Sequence, residues 1–121
     1  MRAARIYDTT GIDAVEITDV PKPTPDDDEV LVEVAASGVN YAELWISRGI
    51  EGSPPLIPGV DSAGTVAELG ADVSGVSVGD RVLVYFNKPC DSCEFCSQGE
   101  TTLCTEYGGL GVHEDGGHAE Y

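Results

Sequence analysis

The four cysteines of the chain all lie in one short segment, with the spacing Cys90-x2-Cys93-x2-Cys96-x7-Cys104. Thiolate sulfur is a preferred ligand of zinc, and two-residue spacers let consecutive sulfurs turn towards one centre. Four such ligands complete a tetrahedral shell and leave no open position for a substrate. The spacing therefore predicts a structural zinc site rather than a catalytic one.

Two other chemistries remain open for the same four residues. A pair of disulfides would also use four cysteines, although a reducing compartment disfavours them. Cys-x2-Cys-x2-Cys also begins the iron–sulfur motif of bacterial ferredoxins, which continues with three residues and a Cys-Pro pair. Here seven residues precede Cys104 and Thr105 follows it, so the spacing favours zinc.

The elements that would position this segment are mostly strands. Apolar residues alternate with polar or small ones over 29–36 and over Val15 to Thr18, which is typical of strands with one buried face. Residues 63–70 predict another strand, and 81–86 a buried strand entered through a Gly-Asp turn.

One helix is predicted, over 41–48. Asn40 is a suitable N-cap, and Glu43 three residues later completes a capping-box pattern. Tyr41, Leu44 and Trp45 share one face of this helix at i, i+3 and i+4. Together the elements predict a single, mostly β domain, a partly open barrel with one short helix.

Length and charge narrow the class of protein. The chain has 121 residues, enough for one domain, and its apolar fraction of 41% is sufficient for a core. Its 22 acidic and 6 basic residues give a net charge of −16. Phosphate binding needs clustered Lys and Arg, so nucleic acid and anionic membrane surfaces are excluded as partners. No apolar run approaches the ~20 residues of a spanning helix, and the first residues do not form a signal peptide, which predicts a cytoplasmic location.

The acidity has two interpretations. It is either a solvated surface of no functional meaning or an adaptation to a salt-rich cytoplasm. Charge of one sign destabilises the compact state through self-repulsion, and dissolved salt screens that repulsion. We expect a halophilic protein.

Several motifs together resemble one enzyme family. The cysteine spacing is similar to the structural-zinc lobe, here about 87–107, of the medium-chain, zinc-type alcohol dehydrogenases and the related quinone oxidoreductases. The other motifs that carry the resemblance are Gly38–Glu43, Leu56–Val66, Val78–Val82 and Gly116–Tyr121. The resemblance implies that 1–121 is a GroES-like catalytic domain of an NAD(P)-dependent oxidoreductase. Such an enzyme acts on a small molecule and can form a homo-oligomer.

The resemblance also shows departures. Family members with a catalytic zinc carry a cysteine where this chain has Asn40 and a histidine where it has Val60, and neither replacement is a zinc ligand of that kind. His113 and His118 do not fall at the ligand positions of those motifs and are interpreted as surface or strand residues.

The replacements resemble the quinone oxidoreductase branch, which reduces quinones or activated double bonds without a catalytic metal. The resemblance implies catalytic roles for Asn40 and Tyr41, near nicotinamide and substrate, and Asp61 is a third candidate. Each has a simpler interpretation: an N-cap for Asn40, core packing for Tyr41, and for Asp61 a structural ion pair with Arg81.

No dinucleotide fingerprint is present. Gly109-x-Gly111 lacks the third glycine and adjoins the cysteine lobe rather than a βαβ unit. We therefore expect a truncated chain without its Rossmann domain, inactive alone towards an alcohol, aldehyde, quinone or enone. The alternatives are a small zinc-lobe interaction module without enzymatic activity, and an alcohol dehydrogenase whose catalytic zinc has unusual ligands.

Overall fold

The computed structural model describes all 121 residues. Its regular elements are short and mostly extended. The strands are β1 Arg2–Ile6, β2 Val15–Asp19, β3 Val30–Ser37, β4 Ser62–Leu69, β5 Arg81–Val84, β6 Asn87–Lys88 and β7 Gly108–Gly109. The α-helices are α1 Tyr41–Ser47 and α2 Glu94–Ser97, and 3-10 turns cover Ile12–Ala14 and Thr101–Leu103.

The strands form three small antiparallel sheets, β1-β2, β3-β4-β5 and β6-β7. The chain end links the first two sheets, since Ala4 N donates to His118 O at 2.8 Å and Val34 N to Glu120 O at 3.0 Å. The sheets do not close into one cylinder. The predicted mostly β domain, a barrel that is only partly closed, is confirmed.

The core is small and lies between β1, α1 and the loop before β4. It consists of five buried residues, against which Val15 and Val60 also pack: Ile6, Ala14, Ile46, Leu56 and Val112. Ile6 also exchanges two backbone hydrogen bonds with Leu56, each 2.9 Å long. The core therefore fixes the loop that leads to Asp61.

Two local predictions are wrong in extent or burial, and one strand was not predicted. β5 ends at Val84 and is not buried, because it is an edge strand covered only by β4 and Leu83 is 85% exposed. The resemblance implies a strand at 116–121, but these residues form no regular strand; beside their backbone hydrogen bonds to Ala4 and Val34 they have one isolated bridge, between Ala3 and Ala119. β1 was not predicted, because its polar and apolar residues do not alternate in a regular pattern.

Candidate functional site

The cysteine lobe, residues 87–107, is built from very short elements. β6 and β7 pair at its base, and α2 begins after Cys93, which is its N-cap. The Cys93 sulfur accepts a hydrogen bond from Cys96 N at 3.5 Å. This local geometry turns both side chains towards the same centre.

All four sulfurs converge. Their Sγ atoms lie within 4.8 Å of one another, and Cys90 Sγ is 4.0 Å from Cys96 Sγ. Zinc–sulfur bonds of about 2.3 Å in a tetrahedron would place the sulfurs roughly 3.8 Å apart. All four residues are free cysteines. The donor set and its spacing therefore fit a zinc ion held by four thiolates.

Backbone N–H groups donate hydrogen bonds to the cysteine sulfurs. Cys93 N donates to Cys90 Sγ at 3.4 Å, and Cys90 N to Cys104 Sγ at 3.3 Å. Donation from the backbone of Cys96, and then of Thr105, lowers the pKa of Cys93 to about 6. Burial and hydrogen bonds to neighbouring sulfurs raise the pKa of Cys96 to about 12. Cys93 thus loses its proton more readily than Cys96. A bound cation would favour the thiolate form of all four cysteines.

A second cluster joins the start of α1 to the start of β4, and we call it the Asn40–Asp61 site. Asn40 Nδ2 donates to Asp61 Oδ2 at 2.9 Å. Gly38 N and Ser37 Oγ both donate to the main-chain oxygen of Asp61, at 2.8 and 3.0 Å. The segment just before Asn40 is thus also hydrogen-bonded to the main chain of Asp61.

The helix cap and this pair use different atoms of Asn40. Glu43 Oε2 accepts from Asn40 N at 2.6 Å within the predicted capping box, and the Glu43 side chain is buried. The side-chain amide nitrogen of Asn40 is directed to Asp61 instead. The N-cap interpretation of Asn40 and a role in a site are therefore compatible.

The prediction of an ion pair between Asp61 and Arg81 is wrong. The partner of Asp61 is Asn40, and the ion pairs of the chain are Arg2–Glu120, Lys22–Glu68 and Lys88–Glu114. Arg81 pairs in register with Thr65, four residues beyond Asp61 in β4. That separation is about 13 Å along a strand, too far for an ion pair.

Tyr41 does not pack in the core. It is the first residue of α1 and 73% exposed, and Trp45 on the same face is 45% exposed. The buried face of the helix carries Glu43, Ile46 and Ser47 instead. The core-packing interpretation of Tyr41 is therefore wrong, and its phenol is free to contact another molecule.

Neither histidine belongs to the cysteine cluster, and the structure shows what each of them contacts. His113 packs edge-on against the ring of Tyr107, the last residue of the cysteine lobe, with centroids 5.5 Å apart. His118 lies at the Asn40–Asp61 site, since its Nε2 is 3.0 Å from Gly38 O. No local pattern in the sequence indicates this contact, because the two residues are 80 positions apart.

A catalytic zinc does not fit the Asn40–Asp61 site. Asn40 offers an amide that is bonded to Asp61, and Val60 packs a hydrocarbon side chain against the core cluster. Neither supplies the thiolate or imidazole that zinc of this kind requires. We derive no chemical step through a metal at this position.

The family model described as the alcohol dehydrogenase GroES-like domain matches residues 26–121. The chain belongs to this family. An alcohol dehydrogenase of Geobacillus stearothermophilus is 39% identical over 89% of the chain and 33% of its own length. The GroES-like domain described above thus spans about a third of the curated relatives that it matches.

Solved structures agree with this assignment. An NAD-dependent alcohol dehydrogenase superposes on the GroES-like domain with a TM-score of 0.94 at 34% identity, covering 99% of it and 36% of the solved chain. A thermostable alcohol dehydrogenase from Pyrobaculum aerophilum, solved with cobalt and zinc bound, gives 0.91 at 39% identity, with 99% and 37% covered. The domain contains no helix long and apolar enough to cross a bilayer.

Proposed function

We propose that residues 1–121 form the catalytic-domain portion of an NAD(P)-dependent oxidoreductase that reduces a quinone or an enone, with one structural zinc and no catalytic zinc. The observation that carries the proposal is the Asn40–Asp61 hydrogen bond at the position where the family's catalytic-zinc members have a metal ligand. The convergence of the four sulfurs supports the structural zinc. The proposal includes a cytoplasmic enzyme that acts on a small molecule and is able to form a homo-oligomer.

The side chains of this site are suited to binding a carbonyl oxygen. Asp61 accepts one amide hydrogen of Asn40, which leaves the second amide hydrogen for a substrate oxygen. A donor that is already oriented stabilises charge developing on that oxygen at little cost in reorganisation. Asp61 therefore orients Asn40, and Asn40 polarises the substrate.

Tyr41, the next residue along the chain, adds a second polar group. Its exposed phenol carries a hydroxyl that both donates and accepts hydrogen bonds. A nicotinamide held by a dinucleotide-binding domain would supply the hydride. Tyr41 and Asn40 together hold the substrate oxygen while it gains charge and then a proton from water.

The test uses a longer protein in which the coding sequence continues beyond Tyr121. We expect a βαβ unit with a glycine fingerprint downstream, and NAD(P)H oxidation with quinones or enones that a zinc chelator does not inhibit on the time scale of the assay. Asn40→Ala is expected to lower kcat/KM by about 100-fold, as is typical for loss of one oriented donor. Gln98→Ala is the matched control, because it deletes a side-chain amide that lies in the cysteine lobe. It should leave the rate unchanged.

Three results would overturn the proposal. Two zinc ions per chain with chelator-sensitive alcohol oxidation would establish the alternative of a catalytic zinc with unusual ligands. A reading frame that ends at Tyr121 and a protein without turnover would favour the zinc-lobe interaction module. Steady NADPH oxidation with a quinone by residues 1–121 alone would contradict the need for a second domain.

A further inference from the structure

We propose that His118 is a positioning residue that holds the Asn40–Asp61 site in place through the main-chain oxygen of Gly38. The inference rests on the proposed function, because that function gives Asn40 its role. It adds a residue that the family motifs considered above do not assign to the site.

The ring of His118 has one polar contact in the structure. Its Nε2 lies 3.0 Å from Gly38 O, and a main-chain oxygen only accepts hydrogen bonds, so Nε2 must carry the proton. The neutral ring then has an unprotonated Nδ1. The structure thus specifies one tautomer, which is a measurable property.

The backbone fixes where this ring lies. His118 N donates to Pro58 O at 2.9 Å, and His118 O accepts from Ala4 N at 2.8 Å. Gly59 adopts φ of 110°, and a Cβ at that residue would lie 2.6 Å from both Cδ2 and N of His118. The ring is therefore held against the loop that leads directly to Asp61.

The peptide segment at Gly38 transmits the contact to the site. Gly38 O receives the histidine, and Gly38 N donates to Asp61 O at 2.8 Å. A Cβ at Gly38 would lie 3.2 Å from Asp61 Cβ and 3.8 Å from Asn40 Nδ2. Any side chain at Gly38 would therefore touch both members of the pair, so the backbone that His118 holds lies directly beside them.

The first experiment is nuclear magnetic resonance on the zinc-loaded chain. We expect the neutral ring of His118 to carry its proton on Nε2. In His118→Ala the side-chain amide signals of Asn40 should shift, and amide hydrogen exchange at Gly38 should become about tenfold faster. His118→Gln places an amide donor at a reach similar to that of Nε2 and should restore both, whereas His113→Ala should change neither.

The outcomes separate positioning from a general structural role. Unchanged Asn40 signals in folded His118→Ala, or a neutral ring protonated on Nδ1 instead of Nε2 in the parent chain, would overturn the proposal. If His118→Ala does not fold, two measurements decide: the position of the ring proton in the parent chain and the Asn40 amide signals in His118→Gln. Asn40 signals in His118→Gln that differ from those of the parent chain would then overturn the proposal.

Kinetics in the longer protein connect the contact to the reaction. His118→Ala should lower kcat/KM about tenfold and His118→Gln should recover it, with His113→Ala unchanged. If the longer protein has no oxidoreductase activity, the proposed function fails while the resonance experiment still decides whether His118 positions Asn40. An unchanged kcat/KM in an active His118→Ala enzyme would overturn the positioning role.

Discussion

Asn40 Nδ2 and Asp61 Oδ2 are 2.9 Å apart, although 21 positions separate the two residues in the chain. The bond joins the N-cap of α1 to the residue before β4. It gives the carboxylate of Asp61 a neutral partner and leaves Asn40 with one amide hydrogen free. Stability, zinc content, pH response and salt response test this structure independently of any activity.

Removing the partner of Asn40 should cost a measurable amount of stability. We expect Asp61→Ala to lower the free energy of unfolding by about 1 kcal/mol, the typical net value of one hydrogen bond. Asp28→Ala removes the same charge from an exposed turn and should have little effect. Urea unfolding measures both, and a double-mutant cycle with Asn40→Ala should give a coupling of about 0.5–1 kcal/mol. Strict additivity would contradict the bond.

The cysteine lobe should contain one zinc ion per chain. Cys104→Ser should lose the metal and lower the melting temperature, because zinc affinity in such sites contributes directly to folding. Ser92→Ala is the control, since Ser92 Oγ lies 3.6 Å from Cys90 Sγ but is not a member of the sulfur cluster. Elemental analysis measures the stoichiometry. Iron with acid-labile sulfide would show that the lobe holds a cluster instead.

Gly59 should tolerate no side chain. Its φ of 110° and the 2.6 Å approach of His118 to an added Cβ predict that Gly59→Ala lowers the free energy of unfolding by about 2–4 kcal/mol. Gly75 also has positive φ, at 85°, but nothing lies within 4 Å of an added Cβ. Gly75→Ala should therefore cost only about 1 kcal/mol. Chemical denaturation compares the two, and equal losses would mean that the close approach has no effect.

Glu120 should make stability depend on acid pH. Arg2 N donates to its Oε2 at 2.8 Å, and this bond lowers the pKa of Glu120 below that of an ordinary glutamate. Because the folded pKa lies below the unfolded one of about 4.3, the stabilisation is present above that value and is lost as pH falls through the folded pKa.

Denaturation from pH 6 to pH 3 measures this dependence. Glu120→Gln should flatten the pH dependence relative to the parent chain. Glu33→Gln, an exposed glutamate of β3, should leave it unchanged. Parallel profiles for the parent and Glu120→Gln would contradict the lowered pKa.

Salt should stabilise the chain. A net charge of −16 opposes compaction, and only three ion pairs, all at exposed side chains, offset it. We expect a higher melting temperature in molar KCl than in dilute buffer, because salt screens the repulsion. Replacing Asp26, Asp27 and Asp28 with asparagine should reduce the increase. A melting temperature that does not respond to KCl would end the halophilic interpretation.

The features that the sequence by itself determined are those whose parts lie close together in the chain. The four cysteines converge because two-residue spacers and a capped turn of helix position them locally. The capping box of α1 involves Asn40 and Glu43, three residues apart. The local patterns that predict β3 and β4 likewise depend on neighbouring residues, and both strands lie within one residue of the predicted bounds.

The tertiary structure decided which distant residues meet. Asp61 pairs with Asn40 rather than Arg81 because strand register places Arg81 beside Thr65. His118 reaches Gly38 across 80 positions, and β5 is exposed because no strand covers its outer edge. Local patterns specify elements and caps, whereas the contacts of a site depend on how register and loops bring separate segments together, which no spacing within one segment encodes.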